Sequence, residues 1–204
     1  MEFHPCNPIA FPLYDKWEPI ILTHTKTPHA EIEIRLGRPG PKGFDTNVGK
    51  ESFEKILKAM TKYNEWDSSK HTKSTVYYFP GGKRVTADDE TDEQVACIKK
   101  RVIVDDFQLE GLPLDVRLGV STEVPFEYDG EEESTEQKAK ERWSFVRKNL
   151  SIDLSIVKGN PDDKDCDDDT VYQVEMEIVD LKKVHTSIEL FNIVYKIFDV
   201  IKHV

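Results

Sequence analysis

Two short stretches alternate acid with apolar residue: Glu31-Ile32-Glu33-Ile34-Arg35 and Gln173-Val174-Glu175-Met176-Glu177-Ile178. Side chains switch faces at every residue of a β-strand. Glu31, Glu33 and Arg35 therefore share one face, with Ile32, Ile34 and Leu36 on the other. Gln173, Glu175 and Glu177 likewise oppose Val174, Met176 and Ile178. The same period recurs between them. Thr75–Phe79 and Arg84–Ala87 flank Pro80-Gly81-Gly82, a turn sequence. Over Val95–Val104, Lys99 and Arg101 oppose Ile98, Val102 and Val104. Over Asp115–Val124, Arg117, Ser121 and Glu123 oppose Val116, Leu118, Val120 and Val124. Lys138, Lys140, Arg142 and Ser144 share a face opposite Trp143 and Phe145, and Ser151, Asp153 and Ser155 oppose Ile152, Leu154 and Ile156.

Helical spacing is confined to two places. Phe53, Ile56, Leu57 and Met60 predict a helix near 50–63, with Asn47 as its cap. A terminal helix starts near Ser187, behind a Thr186/Glu189 capping box, with Ile188, Phe191, Tyr195 and Phe198 as its apolar stripe. Residues 1–29, rich in proline, read as an extended arm, and 30–204 as a single catalytic domain.

The polar faces carry both signs of charge. An ordinary one-sided sheet puts mixed charge against solvent, but here the signs are sorted by strand. One strand presents only acids, another only bases, and Glu123 shares a face with Arg117. Like charges side by side on a strand repel. A closed barrel with a polar lumen accounts for the pattern, its apolar residues turned outward against covering helices. The expected class is mainly β with α (α+β).

A length of 204 residues suits one domain with a real core. The net charge of −11 speaks against a broad nucleic-acid surface, and no DNA partner is expected. Much of that charge sits in three runs, at 88–93, 127–136 and 162–169, which read as solvated loops. Cys6, Cys97 and Cys166 form no C-x-x-C pair, and no signal peptide or bilayer-spanning run is present. The expectation is a soluble, intracellular protein with no membrane partner.

Two Glu-x-Glu pairs suit a hard divalent ion such as Mg²⁺ or Mn²⁺. Bases on neighbouring strands suit phosphate oxygens. Metal plus Lys/Arg is what phosphoryl transfer requires. Rival motifs fail. The run from Asp163 has Asp168 where a calcium loop needs Gly and Val174 where it needs Glu. Gly37–Gly43 lacks a G-K-[ST] ending. The histidines have no paired-ligand spacing, and no G-x-S-x-G or Cys/His signature occurs.

The order Glu-x-Glu, a basic strand, Arg-x5-Glu, Lys-x-Lys-x-Arg and a final Glu-x-Glu resembles the metal-dependent mRNA capping triphosphatases of fungi and large DNA viruses. These belong to the triphosphate tunnel metalloenzymes. The resemblance spans about Ala30 to Ile178, and the short, acidic chain fits a viral member. It implies an eight-stranded antiparallel barrel. It implies a metal set of Glu31, Glu33, Glu175 and Glu177, with Glu175 and Asp153 acting through metal-bound water. Arg84, Lys140 and Arg142 would hold the γ-phosphate, Glu123 would orient the attacking water, and Lys99, Arg101, Arg117 and Lys138 would be further phosphate-binding bases. Gln173 stands where some members carry a third Glu.

The implied reaction is removal of the γ-phosphate from the 5′-triphosphate end of nascent RNA, the first step of capping, with NTPs as additional substrates. No K-x-D-G motif occurs, so an RNA guanylyltransferase, separate or fused, is the expected partner. The expected location is the nucleus or a cytoplasmic virus factory. Two competing readings are a hydrolase of inorganic or small organic triphosphates and a non-catalytic acidic β-barrel interaction module.

Overall fold

The computed structural model describes residues 8–41, 43–159 and 170–204. The third acidic run, at 162–169, lies outside them, as do Cys6 and Cys166. In chain order the elements are α1 (Ala10–His24), β1 (Ala30–Gly40), β2 (Gly43–Asp45), α2 (Lys50–Lys62), β3 (Ser68–Tyr78), β4 (Lys83–Asp88), β5 (Gln94–Phe107), β6 (Asp115–Pro125), β7 (Glu136–Arg147), β8 (Leu150–Lys158), β9 (Val171–Ile178) and α3 (Ser187–Ile201).

Strand order is β2-β1-β6-β5-β4-β3-β7-β8-β9, and a β1–β9 pairing closes the sheet. Eight antiparallel strands form the barrel, with β2 as an extra strand outside the ring, hydrogen-bonded to β1. Closure removes the free edges that an open sheet of this length would expose.

Alternation then sorts the chemistry. Ile32, Ile34 and Leu36 of β1 turn outward, with Val116, Leu118 and Val120 of β6, Leu154 of β8, and Val174, Met176 and Ile178 of β9. This outer wall packs under Leu13, Trp17 and Ile21 of α1, Phe53 and Ile56 of α2, and Leu190, Val194 and Ile197 of α3. The core therefore lies between barrel and helices, and the lumen is left to charge. Truncating a fully buried member such as Leu118 to Ala would cost about 2–5 kcal/mol.

Three local expectations give way. The arm expected over 1–29 contains α1, whose buried residues Ala10, Leu13, Tyr14, Trp17 and Ile21 follow helical spacing. Pro12 falls in the first turn, where the backbone N–H has no intrahelical partner anyway, and burial of Trp17 and Ile21 offsets the bond that Pro19 removes. Gly49, not Asn47, caps α2. The Asn47 carboxamide oxygen instead accepts from the Gly49 and Tyr172 backbone N–H groups, tying the helix entry to β9. The capping box at Thr186 and Glu189 is present; of the expected stripe Phe198 is buried and Phe191 and Tyr195 pack at the core's margin, but Ile188 is 73% exposed and the deepest face of α3 is Leu190, Val194 and Ile197.

The strand β5 also departs from simple alternation. A bulge between Arg101 and Ile103 shifts its register against β6. Before the bulge, Lys99 faces Glu123 across the lumen side. Beyond it, Ile103 pairs with Val120 on the outer wall, and Val104 moves to the side of Gly119.

Candidate active site: a charged tunnel

Carboxylates from four strands and bases from four meet inside the barrel. Glu33 stands opposite Glu177 across the β1–β9 pair, and Arg35 opposite Glu175. Asp153 lies opposite Glu175 across β8–β9, and Ser144 opposite Asp153 across β7–β8. The closing seam of the barrel thus stacks Glu31, Glu33, Glu175, Glu177 and Asp153 along one wall. Gly119 lies opposite Glu33 on β6, and a Cβ there would come within 3.1 Å of Glu33 Oε1. The missing side chain leaves room for that carboxylate.

Most of these acids are held by bases. Lys99 contacts Glu31 and lies 4.0 Å from Glu33 and 3.0 Å from Glu123. Arg35 bridges Glu33 at 3.0 Å and Glu175 at 3.1 Å. Arg142 lies 3.5 Å from both Asp153 and Glu175, and Arg84 donates to Glu123 at 2.6 Å. Hydroxyls fix the remaining lone pairs: Ser121 donates to Glu31 and Ser151 to Asp153, both at 2.8 Å, while Arg142 Nε donates to Ser155 at 3.3 Å.

Burial and neighbours set the protonation. Burial alone would raise Glu175, but Lys140, Arg35, Arg142 and Lys99 hold it well below the usual carboxylate range. Glu123 is lowered despite burial, by its bonds and by the charges of Arg84 and Lys99. Glu31 is raised by burial, against the pull of Lys99. Glu177 differs from all of these. Burial, then the nearby Glu31 and Asp153 carboxylates, push it up to about 7, and among the described residues no ion pair involves it. Lys140 is pushed down to about 8 by burial and by the neighbouring Arg142, Arg35 and Arg84, against the pull of Glu175.

The region around Glu177 is therefore short of positive charge. An all-oxygen set of carboxylates with such a deficit fits a hard divalent cation. No ready-made group of three ligands is present among the described residues, because Glu31, Glu33 and Glu175 are turned onto Lys99, Arg35 and Arg142. A cation entering here would take over carboxylates that those bases now neutralise.

Not every residue singled out from sequence reaches this centre. Arg101 is exposed beside the bulge and makes no ion pair among the described residues. Arg117 gives its guanidinium to Asp106, with Nε and Nη2 at 2.6 and 2.9 Å, and stacks over Phe44 at 4.8 Å. Lys138 pairs with Glu136 at 3.0 Å, beside Tyr78. Sequence reasoning passed over Arg35, although it shares the face of Glu31 and Glu33. It also missed Cys97, whose thiol accepts from Arg84 Nε at 3.3 Å and lies 3.9 Å from Glu123.

The fold has known counterparts. The RNA triphosphatase Pct1 of S. pombe superposes with a TM-score of 0.74 at 16% identity, covering 99% of this chain and 96% of that one. Pct1 in complex with the Spt5 CTD gives 0.74 at 18% identity, with 99% and 95% covered. The RNA triphosphatase domain of the trifunctional mimivirus mRNA capping enzyme gives 0.64 at 15%, with 93% and 95% covered. At these identities the likeness establishes the fold. No curated protein matches in sequence. Residues 46–192 match the mRNA triphosphatase family model, described as mRNA capping enzyme, beta chain, and since that match takes in well over half of the chain, the protein belongs to this family.

Proposed function

We propose that the tunnel removes the γ-phosphate from the 5′-triphosphate end of nascent mRNA, with Mg²⁺ or Mn²⁺ held by Glu31, Glu33 and Glu177. The family is one of hydrolases acting on the 5′-triphosphate of RNA, which fits the charge arrangement. The observation that carries the reading is Glu177, a partly buried carboxylate crowded by other carboxylates and left without a base among the described residues. The ion would neutralise charge on the transferred phosphoryl group.

The chain's own groups supply the rest. Arg84, Lys140 and Arg142 converge from β4 and β7 to bind the γ-phosphate oxygens, and Lys99 stands beside them on β5. An anionic phosphate would raise Lys140 from about 8 and keep it charged at neutral pH. Glu123, kept ionised by Arg84 and Lys99, orients the attacking water and accepts its proton. Glu175 and Asp153 position the set by fixing Arg35 and Arg142. Arg117 and Lys138, which already hold acids, and the exposed Arg101 form an outer ring that meets the rest of the RNA end.

Lys99, Arg35 and Arg142 now pair with carboxylates; were an ion held by Glu31, Glu33 and Glu177, these bases would be released to phosphate oxygens. Inside the tunnel the five bases Arg35, Arg84, Lys99, Lys140 and Arg142 stand against six carboxylates, so the site does not share the acidity of a chain of net charge −11. NTPs present the same triphosphate and would also be cleaved. A guanylyltransferase, the expected partner, would take the diphosphate end wherever transcripts emerge, in a nucleus or a virus factory.

The test is phosphate release from γ-labelled triphosphate-ended RNA with Mg²⁺, with Mn²⁺ and with EDTA. Release with either metal that EDTA abolishes supports the reading. Release from tripolyphosphate but not from RNA would move the function to small triphosphates. Silence on every substrate would leave a non-catalytic barrel.

A further inference from the structure

Outside the tunnel, α2 and α3 diverge over the outer wall and leave a groove of about 1190 Å³. Its floor is apolar, formed by Met60, Leu150, Ile152 and Ile193, all buried beneath the groove walls. Its sides are not. Eight of the lining side chains are lysine or arginine, and two are acids, in a chain where acids outnumber bases by 39 to 28.

Part of that positive charge is spent locally. Lys55 pairs with Glu51, Arg147 with Asp67, Lys183 with Asp180, and both Lys196 and Lys202 with Asp199. Lys58, Lys62 and Lys148 remain exposed, with no ion pair among the described residues. The C-terminal dipole of α2 accounts for a lysine at position 62. It does not account for Lys58, one turn earlier, or for Lys148 on the β7–β8 turn. Those three ammonium groups line the apolar trough, two from α2 and one from the β7–β8 turn.

We propose that this groove docks an acidic amphipathic segment of a partner protein, its apolar side on the floor and its carboxylates against Lys58, Lys62 and Lys148. An aliphatic floor of this size matches the recognition of an amphipathic helix by i, i+3, i+4 and i+7 anchors. It does not favour single-stranded nucleic acid, which needs free aromatic faces. Three aromatics line the groove, and each ring is engaged: Trp66 packs against Phe145 and gives its indole N–H to the Met60 carbonyl, the exposed Tyr63 meets Trp66 edge-on and donates its hydroxyl to Glu65, and Tyr195 packs between Phe191 and Phe198. The groove lies on the opposite side of the barrel wall from the catalytic lumen, so docking leaves the tunnel free.

The experiment is fluorescence anisotropy on the full chain with three labelled probes: a 16-residue helix-forming peptide with one Glu/Asp face and one Leu face, the same composition scrambled, and oligouridylate. The amphipathic peptide should bind, and the scrambled one should bind at least about tenfold more weakly. Lys58→Glu/Lys62→Glu/Lys148→Glu should weaken the amphipathic peptide by about tenfold or more while leaving triphosphatase activity unchanged. Equal binding of both peptides would overturn the role of the floor, and an unaffected triple variant would overturn the role of the lysines. Absence of binding, preferential binding of oligouridylate, or a dimer in light scattering that the triple variant dissolves would each overturn the proposal. The last two would reassign the groove to RNA or to a second copy of the chain.

Discussion

The seam where β1 meets β9 and the outer ring of bases at Arg101, Arg117 and Lys138 are both made of charged residues on strands, yet they behave as different materials. At the seam every carboxylate except Glu177 has a base or hydroxyl fixed against it, and Asp153 and Glu175 are only 5% and 6% exposed. In the ring Arg101 is exposed, Arg117 binds the exposed Asp106 and Lys138 binds the exposed Glu136. The paired bases of the two groups are similarly exposed, but the acids of the second group stand in water and those of the first do not, so the second group's pairs are screened more strongly. The same residue types therefore carry large consequences at the seam and small ones in the ring.

That contrast is broken most decisively at Glu177. Glu177→Gln keeps size and hydrogen-bonding reach but removes a charge, and triphosphate hydrolysis should fall on the order of 10³-fold. A near-normal rate would end the metal assignment. The same variant sharpens a second point without any substrate. Glu177 has its carboxyl raised from 4.5 to about 7, so the metal-free folded protein binds more protons than the unfolded chain between those values. Its stability should fall as pH rises from about 5 to 7. Thermal unfolding in EDTA should show that decline in the native protein and a flatter profile in Glu177→Gln.

Arg142→Lys comes next. A lysine cannot span Asp153, Glu175 and Ser155 as the guanidinium does, and kcat should drop by about 10–100-fold. Gly119→Ala should cost about tenfold, because the added Cβ presses on Glu33 by a few tenths of an ångström. Restored activity with Glu33→Asp in the same chain would identify the clash as the cause. At the small end, Lys138→Ala should raise KM for RNA by about threefold, and Arg101→Ala should stay within about twofold. A larger loss at Arg101 than at Arg142 would invert the comparison.

Much of this was legible from residue order because a strand has a period of two. Glu31, Glu33, Glu175 and Glu177 sort to one face with no knowledge of their partners, and the barrel follows from the sorting. What stayed hidden depends on contacts between distant positions. Asp106, eleven residues before Arg117, takes that guanidinium across the β5–β6 pair. Trp17 reaches Asp105 with its indole N–H at 2.8 Å, a contact that helps hold α1 on the barrel where prolines suggested an arm. Arg35 escaped notice because its value lies in bridging two strands that only barrel closure brings together. In α3 the stripe read from sequence, through Ile188, Phe191, Tyr195 and Phe198, lies beside the face that packing buries deepest, through Leu190, Val194 and Ile197.

The single extra residue at Val102 gives β5 two separate jobs. Residues before it answer to the tunnel carboxylates, through Lys99; residues after it answer to the helix-covered outer wall, through Ile103, Asp105 and Phe107. Deleting Val102 would restore simple alternation with both addresses kept, Arg101 beside Ser121 and Ile103 beside Val120; deleting a neighbour and keeping Val102 as a regular position would instead set the two halves of the strand one residue out of step. In this barrel a one-residue insertion or deletion on that strand is a heavier change than most substitutions everywhere except at the bulge itself, which is where the strand can lose a residue and keep its faces.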